Sequence, residues 1–201
     1  MTQRRLPPAQ RREQIVGAAR SLIVHRGLPA VSLRDIAAAA GVSMGTVTYH
    51  FSGIDEILGE VVVAESERFY AEVVAAADAE PDARAALRIL IDPMFEETPD
   101  VEAHWRIWSD YWAAVVRRPG MTQPYAERVR YWEACCTRVI ERGVRDGSLR
   151  PVDPAAAALK LSAYADGLWA QRGQEAPGLT AALAHTWMNE FAALLLFDLP
   201  A

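Results

Sequence analysis

AGVSMGTVTYHF, residues Ala40 to Phe51, lies where the pattern on both sides calls for helices, yet it is badly composed for one. Gly45 costs about 1 kcal/mol relative to alanine in a helix interior, and Thr46, Val47 and Thr48 are β-branched residues that lose side-chain freedom there. Upstream, Ser32 with Asp35 three residues later is a capping-box signal for a short helix over Leu33 to Ala39, which Gly41 stops. Ser43 then caps a second short helix that reaches about Phe51. Two short helices joined by the four residues Ala40-Gly41-Val42-Ser43 predict a helix-turn-helix, whose second member can enter the major groove of DNA, about 12 Å wide. On that reading Gly45 keeps a Cβ away from base edges, and Ser43, Thr46 and Thr48 offer short hydroxyls. Tyr49 and His50 can reach phosphates, which fix register while base contacts select sequence. Val42, Val47 and Phe51 face back toward Leu33, Ile36, Ala37 and the preceding helix. A mere connecting helix in a bundle would leave this crowding of hydroxyl and aromatic-polar residues unexplained.

Charge is distributed to match. The chain of 201 residues has a net charge of −5, but residues 1–51 hold seven arginines against two acids, a local +5 that leaves −10 for the remainder. Such asymmetry suggests one portion facing a polyanion and another with a different task. The length suffices for one or two domains with a real core, and a composition 51% apolar and 23% charged is that of an ordered protein. No apolar run approaches the roughly 20 residues that span a bilayer, and no signal-peptide core opens the chain, so a cytoplasmic protein without a membrane partner is expected.

Helical periodicity continues throughout. Ile15, Ala18, Ala19, Leu22 and Ile23 mark a first helix over residues 9–26, ended by Gly27. Ser52 and Asp55 signal the start of a fourth, whose stripe of Ile57, Leu58, Val61, Val62, Phe69 and Val73 runs to about Ala77. After a break at Asp78 to Asp82, five further helices are punctuated by Thr98-Pro99, Pro119-Gly120, Asp146-Gly147 with Pro151 and Pro154, and Pro177-Gly178. No segment alternates with period two for long enough to be a strand. The expected fold is all-α, with about nine helices. Cys135 and Cys136 point about 100° apart on a helix, which disfavours a disulfide and reads as one buried thiol and one on the helix flank. His25, His50, His104 and His185 are scattered; neither metal-ligand spacing nor a phosphate-cradling loop nor an evident nucleophile occurs, so neither catalysis, metal nor cofactor is expected.

The run from Leu33 to Phe51, followed by Ser-Gly-Ile-Asp-Glu-Ile-Leu58, resembles the DNA-binding signature of the tetracycline-repressor (TetR) family of bacterial regulators. The resemblance implies an N-terminal helix-turn-helix domain, set here at residues 1–53, and a C-terminal ligand-binding and dimerisation domain over 54–201. It implies repression of a palindromic operator in double-stranded DNA, relieved by a small-molecule effector. Carried over by position, Ser43, Thr46, Tyr49 and His50 match phosphate-meeting positions, and Met44, Gly45 and Thr48 match positions that approach bases. Where the family usually places a lysine before the acidic pair of the fourth helix, this chain has Ile54, which removes one phosphate contact. Arg4, Arg5, Arg11, Arg12 and Arg34 are candidate substitutes.

In the second half, Val101, Trp105, Trp108, Trp112, Val115 and Val116 project onto one helical face, with Arg106 and Asp110 opposite. Tyr125, Val129, Trp132, Cys136 and Val139 do the same on the next helix. Aromatic faces attract organic cations, and Trp105, Trp108, Tyr111, Trp112, Trp132, Asp166 and Trp169 are the candidate effector residues. Core packing is the alternative role for the rings, and both roles can hold together. Glu96, Glu97, Asp110 and Glu133 are further acids that could balance a cation, although most such acids are solvated. The segment from Trp105 to Pro119, with Asp166-Gly-Leu-Trp169, also resembles the betaine-inhibitor (BetI-like) branch of the family. The last two helices carry more apolar surface than one small chain covers, and Leu161, Leu168, Leu183, Trp187, Phe191 and Leu194 are the candidate contacts of a homodimer. A DNA-binding activator or a regulator without a ligand is the alternative function.

Overall fold

A computed structural model describes residues 6–118 and 130–197. Among them are nine α-helices: α1 (Pro8–Arg26), α2 (Leu33–Ala39), α3 (Met44–His50), α4 (Ile54–Ala79), α5 (Ala83–Ile91), α6 (Pro99–Val115), α7 (Tyr131–Asp146), α8 (Pro154–Gly173) and α9 (Ala181–Leu196). The described residues contain no strand, as the absence of period-two alternation predicts. No described helix is long and apolar enough to cross a membrane. The predicted break at Pro119-Gly120, and Tyr125 and Val129 of the predicted stripe, lie outside the described residues.

The described chain forms two compact units, one of residues 6–65 with 103–118 and the other of 66–102 with 130–197. Their boundaries cut α4 after Glu65 and α6 after Glu102, so both helices belong partly to each unit.

In the first unit, Ile15, Ala19 and Ile23 of α1 pack with Ile36 and Ala37 of α2, Val47 of α3, Phe51, the α4 residues Ile57, Leu58, Val61 and Val62, and Ile107 and Tyr111 of α6. Each large aliphatic side chain buried in this way contributes about 1.5–3 kcal/mol. Further along α4 the expected stripe is displaced. Tyr70, Val74 and Ala77 are buried, whereas Phe69 and Val73 are half-buried. The buried face advances in fours through Val62, Ser66, Tyr70 and Val74. Because Glu65 and Ser66 occupy it with polar groups, a purely apolar pattern resumes one residue early.

The second unit is a helical stack in which α7 packs on both α5 and α8, and α9 packs on α8. Gly143 of α7 is required by close approach: a Cβ there would lie 2.5 Å from Leu149 Cγ and 2.7 Å from Ala83 Cβ. Trp132 fixes α7 to α5 by donating its indole N–H to the Leu90 carbonyl at 2.9 Å. Both cysteines are fully buried, which corrects the expectation of a flank thiol for one of them. Burial and the neighbouring Asp78 push the Cys135 thiol up to about 11, and burial pushes Cys136 upward as well. Neither is a ready thiolate.

Candidate functional site

The turn between α2 and α3 is built by a Schellman motif. Gly41 takes a left-handed φ of 64°, its N–H donates to the Ala38 carbonyl at 3.1 Å, and the Val42 N–H donates to the Ala37 carbonyl at 3.0 Å. Gln14 of α1 donates to the Ala40 carbonyl at 2.7 Å, so the first helix holds this corner. Ser32 and Asp35 form the expected capping box of α2. Ser43 caps α3 by accepting the Thr46 N–H at 3.1 Å, and its Oγ lies 2.9 Å from the Thr46 hydroxyl. The Thr48 hydroxyl donates to the Met44 and Gly45 carbonyls at 3.2 and 3.3 Å. Of the three hydroxyls read as donors in the sequence, that of Thr48 is spent on its own helix, and the Ser43–Thr46 contact takes one of that pair's two protons, so one hydroxyl donor remains to face outward.

The outward face of α3 is nonetheless open. Met44 is 40% exposed and Tyr49 82% exposed, and Tyr49 meets the half-buried His50 edge-on with ring centroids 5.0 Å apart. Val47 is fully buried and Phe51 nearly so, which anchors the helix from behind. A Cβ built on Gly45 would meet Ser43 Oγ at 3.7 Å, an ordinary contact. Nothing in the described chain itself demands glycine at this position.

The arginines divide by role. Arg12 lies over the Phe51 ring, its guanidinium carbon 4.1 Å from the centroid. It bonds Glu56 at 2.8 Å, and also Glu60 and the His50 carbonyl. Burial works against its charge, but the bonds to Glu56 and Glu60 outweigh burial and hold the guanidinium above its ordinary range. Arg12 is thus a structural clamp rather than a substitute for the absent lysine. Arg11 bonds Gln14 at 2.7 Å, Arg34 is exposed, and Arg4 and Arg5 lie outside the described residues. The start of α4 also differs from expectation: Ser52 donates its N–H and hydroxyl to Glu56, each at 2.8 Å, while Asp55 meets Arg118 at 3.0 Å. Arg118, paired with the residue that follows Ile54, is a cation that reading the sequence does not place at the start of α4.

On α6 the rings associate pairwise. Trp105 and Trp112 have centroids 6.2 Å apart, as do Trp108 and Trp112, and Trp108 meets Tyr111 at 5.6 Å. The buried face of this helix is Val101, His104, Trp105, Ile107 and Tyr111; Val116 is 84% exposed, contrary to the projected stripe. Trp108 and Trp112 fall within the buried arc and yet are only half-buried. The Trp108 indole nitrogen is buried and, among the described residues, has no hydrogen-bond partner. Asp110 is not available to a ligand, because it accepts the Leu28 N–H at 2.7 Å.

The remaining candidates lie in the second unit. Trp132 is committed to Leu90, as above, and Trp169 stacks on Phe95 with centroids 6.2 Å apart while the Arg172 guanidinium carbon lies 4.2 Å from the Trp169 ring centroid. Glu133 is bonded by Arg130 at 2.7 Å, and Glu97 lies 3.8 Å from Arg172. Asp166 stands apart. Burial first, then repulsion from Glu133, only partly offset by Arg130, push its carboxyl up to about 7.

Two family descriptions match this chain: bacterial regulatory proteins of the tetR family over residues 15–61, and the C-terminal part of BetI-type transcriptional repressors over residues 83–196. The chain belongs to the TetR family. This TetR-family repressor is 28% identical to the transcriptional regulator BetI 2 of Chromohalobacter salexigens over 90% of its own length and 87% of the relative's. It is 30% identical to BetI of Stenotrophomonas maltophilia, covering 79% of each chain. Among solved structures, a chain from Saccharomonospora viridis described as a transcriptional regulator, in complex with choline, superposes with a TM-score of 0.79 at 26% identity, covering 95% of this chain and 100% of that one.

The expected dimer contacts of this TetR repressor need revision. Leu161 is fully buried and Leu168 is 6% exposed, so both are spent on the protomer's own core. The exposed large apolar residues of α8 and α9 are Leu159, Trp187 and Leu194, joined by half-buried Leu183, Tyr164 and Phe191, the last two stacked at 4.4 Å. Sequence reading also missed Arg20, Glu65 and His104, of which the last two are fully buried and 3.1 Å apart. A signal was present: Glu65 falls three and four residues after Val62 and Val61, squarely on the apolar stripe of α4.

Proposed function

We propose that this TetR-family repressor acts as a homodimer on a palindromic operator and is released from it by a small organic cation of the choline class. Residues 1–53 would read the DNA and residues 54–201 would serve dimerisation and effector binding. Base edges would be approached by Met44, Gly45 and Thr48; phosphates would be met by Ser43, Thr46, Tyr49, His50, Arg34 and Arg118. The observation that carries this assignment is the needless glycine at Gly45. Its helix penalty is not repaid by packing within the chain, whereas close approach of the backbone to DNA explains it. A twofold pair joined through Leu159, Trp187 and Leu194 would present recognition helices about 34–36 Å apart.

The cation reading is supported by the associated rings of Trp105, Trp108, Tyr111 and Trp112, and by the choline held in the Saccharomonospora relative. A desolvated cation gains about 2 kcal/mol or more from a favourable aromatic face. Near-complete release of the operator needs an effector that prefers one state by about 10⁴-fold, or 5.5 kcal/mol.

The test is operator binding, measured by fluorescence anisotropy on a duplex selected from a random-sequence library, with and without choline. Loss of binding on adding choline is the expected result. Unchanged or tighter binding would overturn the effector assignment and leave a ligand-independent regulator or an activator.

A further inference from the structure

Glu65 and His104 are fully buried in the first unit, although both side chains would carry or share charge in water. His104 Nδ1 lies 3.1 Å from Glu65 Oε1. A carboxylate only accepts, so the imidazole donates in this pair. The other carboxylate oxygen accepts from Arg20 Nε. One side chain on α4 therefore ties α1 to α6 in the interior of the unit that holds the helix-turn-helix.

A second tie lies closer to the recognition helix. Arg12, eight residues and so about 12 Å along α1 from Arg20, joins α1 to Glu56 and Glu60 of α4 and to the last turn of α3 through the His50 carbonyl. The helix α6 has its own second hold, because Asp110, six residues beyond His104, accepts the Leu28 N–H in the turn that follows α1. A buried carboxylate is tolerated only while its partners stay in place, and removing one leaves the charge less well compensated. Such a junction resists gradual sliding and favours discrete arrangements of the helices it joins. The His104 ring also touches the aromatic face of α6, 5.3 Å from Trp105 and 6.0 Å from Trp108 between centroids.

We infer that Glu65 is the fastening through which α6 sets the posture of α4 and α1, and with them of α3, so that Arg20 and His104 are positioning residues for DNA binding. That an effector's signal travels by this route rests on the cation reading given above. The fastening itself does not.

The experiment is a double-mutant cycle in affinity for the selected duplex, using the full chain. Arg20→Ala and His104→Ala are each expected to weaken binding tenfold or more while the protein still melts cooperatively, and the double variant is expected to lose little beyond the worse single. His104→Gln, which keeps a donor for Glu65, should recover most of the loss. Single variants that fold and bind within twofold of the unaltered chain, or losses that simply multiply in the double variant, overturn the inference. Should the alanine variants fail to fold, Arg20→Lys against His104→Gln decides it by the same criterion. Choline adds a second arm. If choline releases the unaltered chain and His104→Gln to the same extent, the signalling route is wrong; if choline does not act on the unaltered chain, the cation reading fails while the cycle still judges the fastening.

Discussion

Helices α2 and α3 are each seven residues long and each begins at a serine cap, yet they are stabilised in opposite ways. α2 is four-sevenths alanine and isoleucine, carries a reciprocal capping box, ends in a Schellman turn and buries Ile36 and Ala37. Its residues suit a helix and its face suits the core. α3 contains glycine and three β-branched residues, and within it Val47 alone is buried. It is held from outside, by Val47 and Phe51 against the core and by Arg12 on its last carbonyl. A segment so poor in its own support, but so firmly backed, has a front face free to be composed for another molecule.

The comparison can be broken most severely at the backing. Phe51→Ala removes the ring that lies beneath Arg12 and packs into the first core, and should lower the free energy of unfolding by about 3–5 kcal/mol in denaturant titration; a loss below 1 kcal/mol would mean that α3 does not depend on this anchor. The two caps sharpen the contrast more gently. Ser32→Ala and Ser43→Ala should each cost about 1 kcal/mol of stability, but the second alone should also weaken binding to the selected duplex. Equal effects on DNA would erase the distinction between the helices.

Much of this was legible in the sequence where the signals are local. Ser32, Asp35, Gly41 and Ser43 each act within four residues, and they delimit α2 and α3 as observed. Assignments that depend on what lies opposite were less legible. The second half of α4 is phased by Ser66 and Tyr70, and the inner face of α6 includes His104 and Tyr111, because polar groups with buried partners leave no apolar trace. Leu161 and Leu168 read as partner contacts from composition alone, but α8 turns them into its own core and exposes Leu159 instead. Cys135 is buried because the end of α4 covers it, its Sγ lying 3.9 Å from the Val74 carbonyl and 3.6 Å from Asp78 Oδ1. On α3 the donor capacity read from the sequence was overstated, since the Thr48 hydroxyl and one proton of the Ser43–Thr46 pair already serve the helix they stand on.

Gly45→Ala tests the central claim most directly, because stability and function should move in opposite directions. Alanine fits the space and restores about 0.5–1 kcal/mol of helix stability, a rise of a few degrees in melting temperature for a chain of this size. The same variant, measured on the same preparation, should bind the selected duplex at least tenfold more weakly. A more stable protein that binds DNA as tightly as before would contradict the claim that α3 was composed for a groove at the expense of its own helicity.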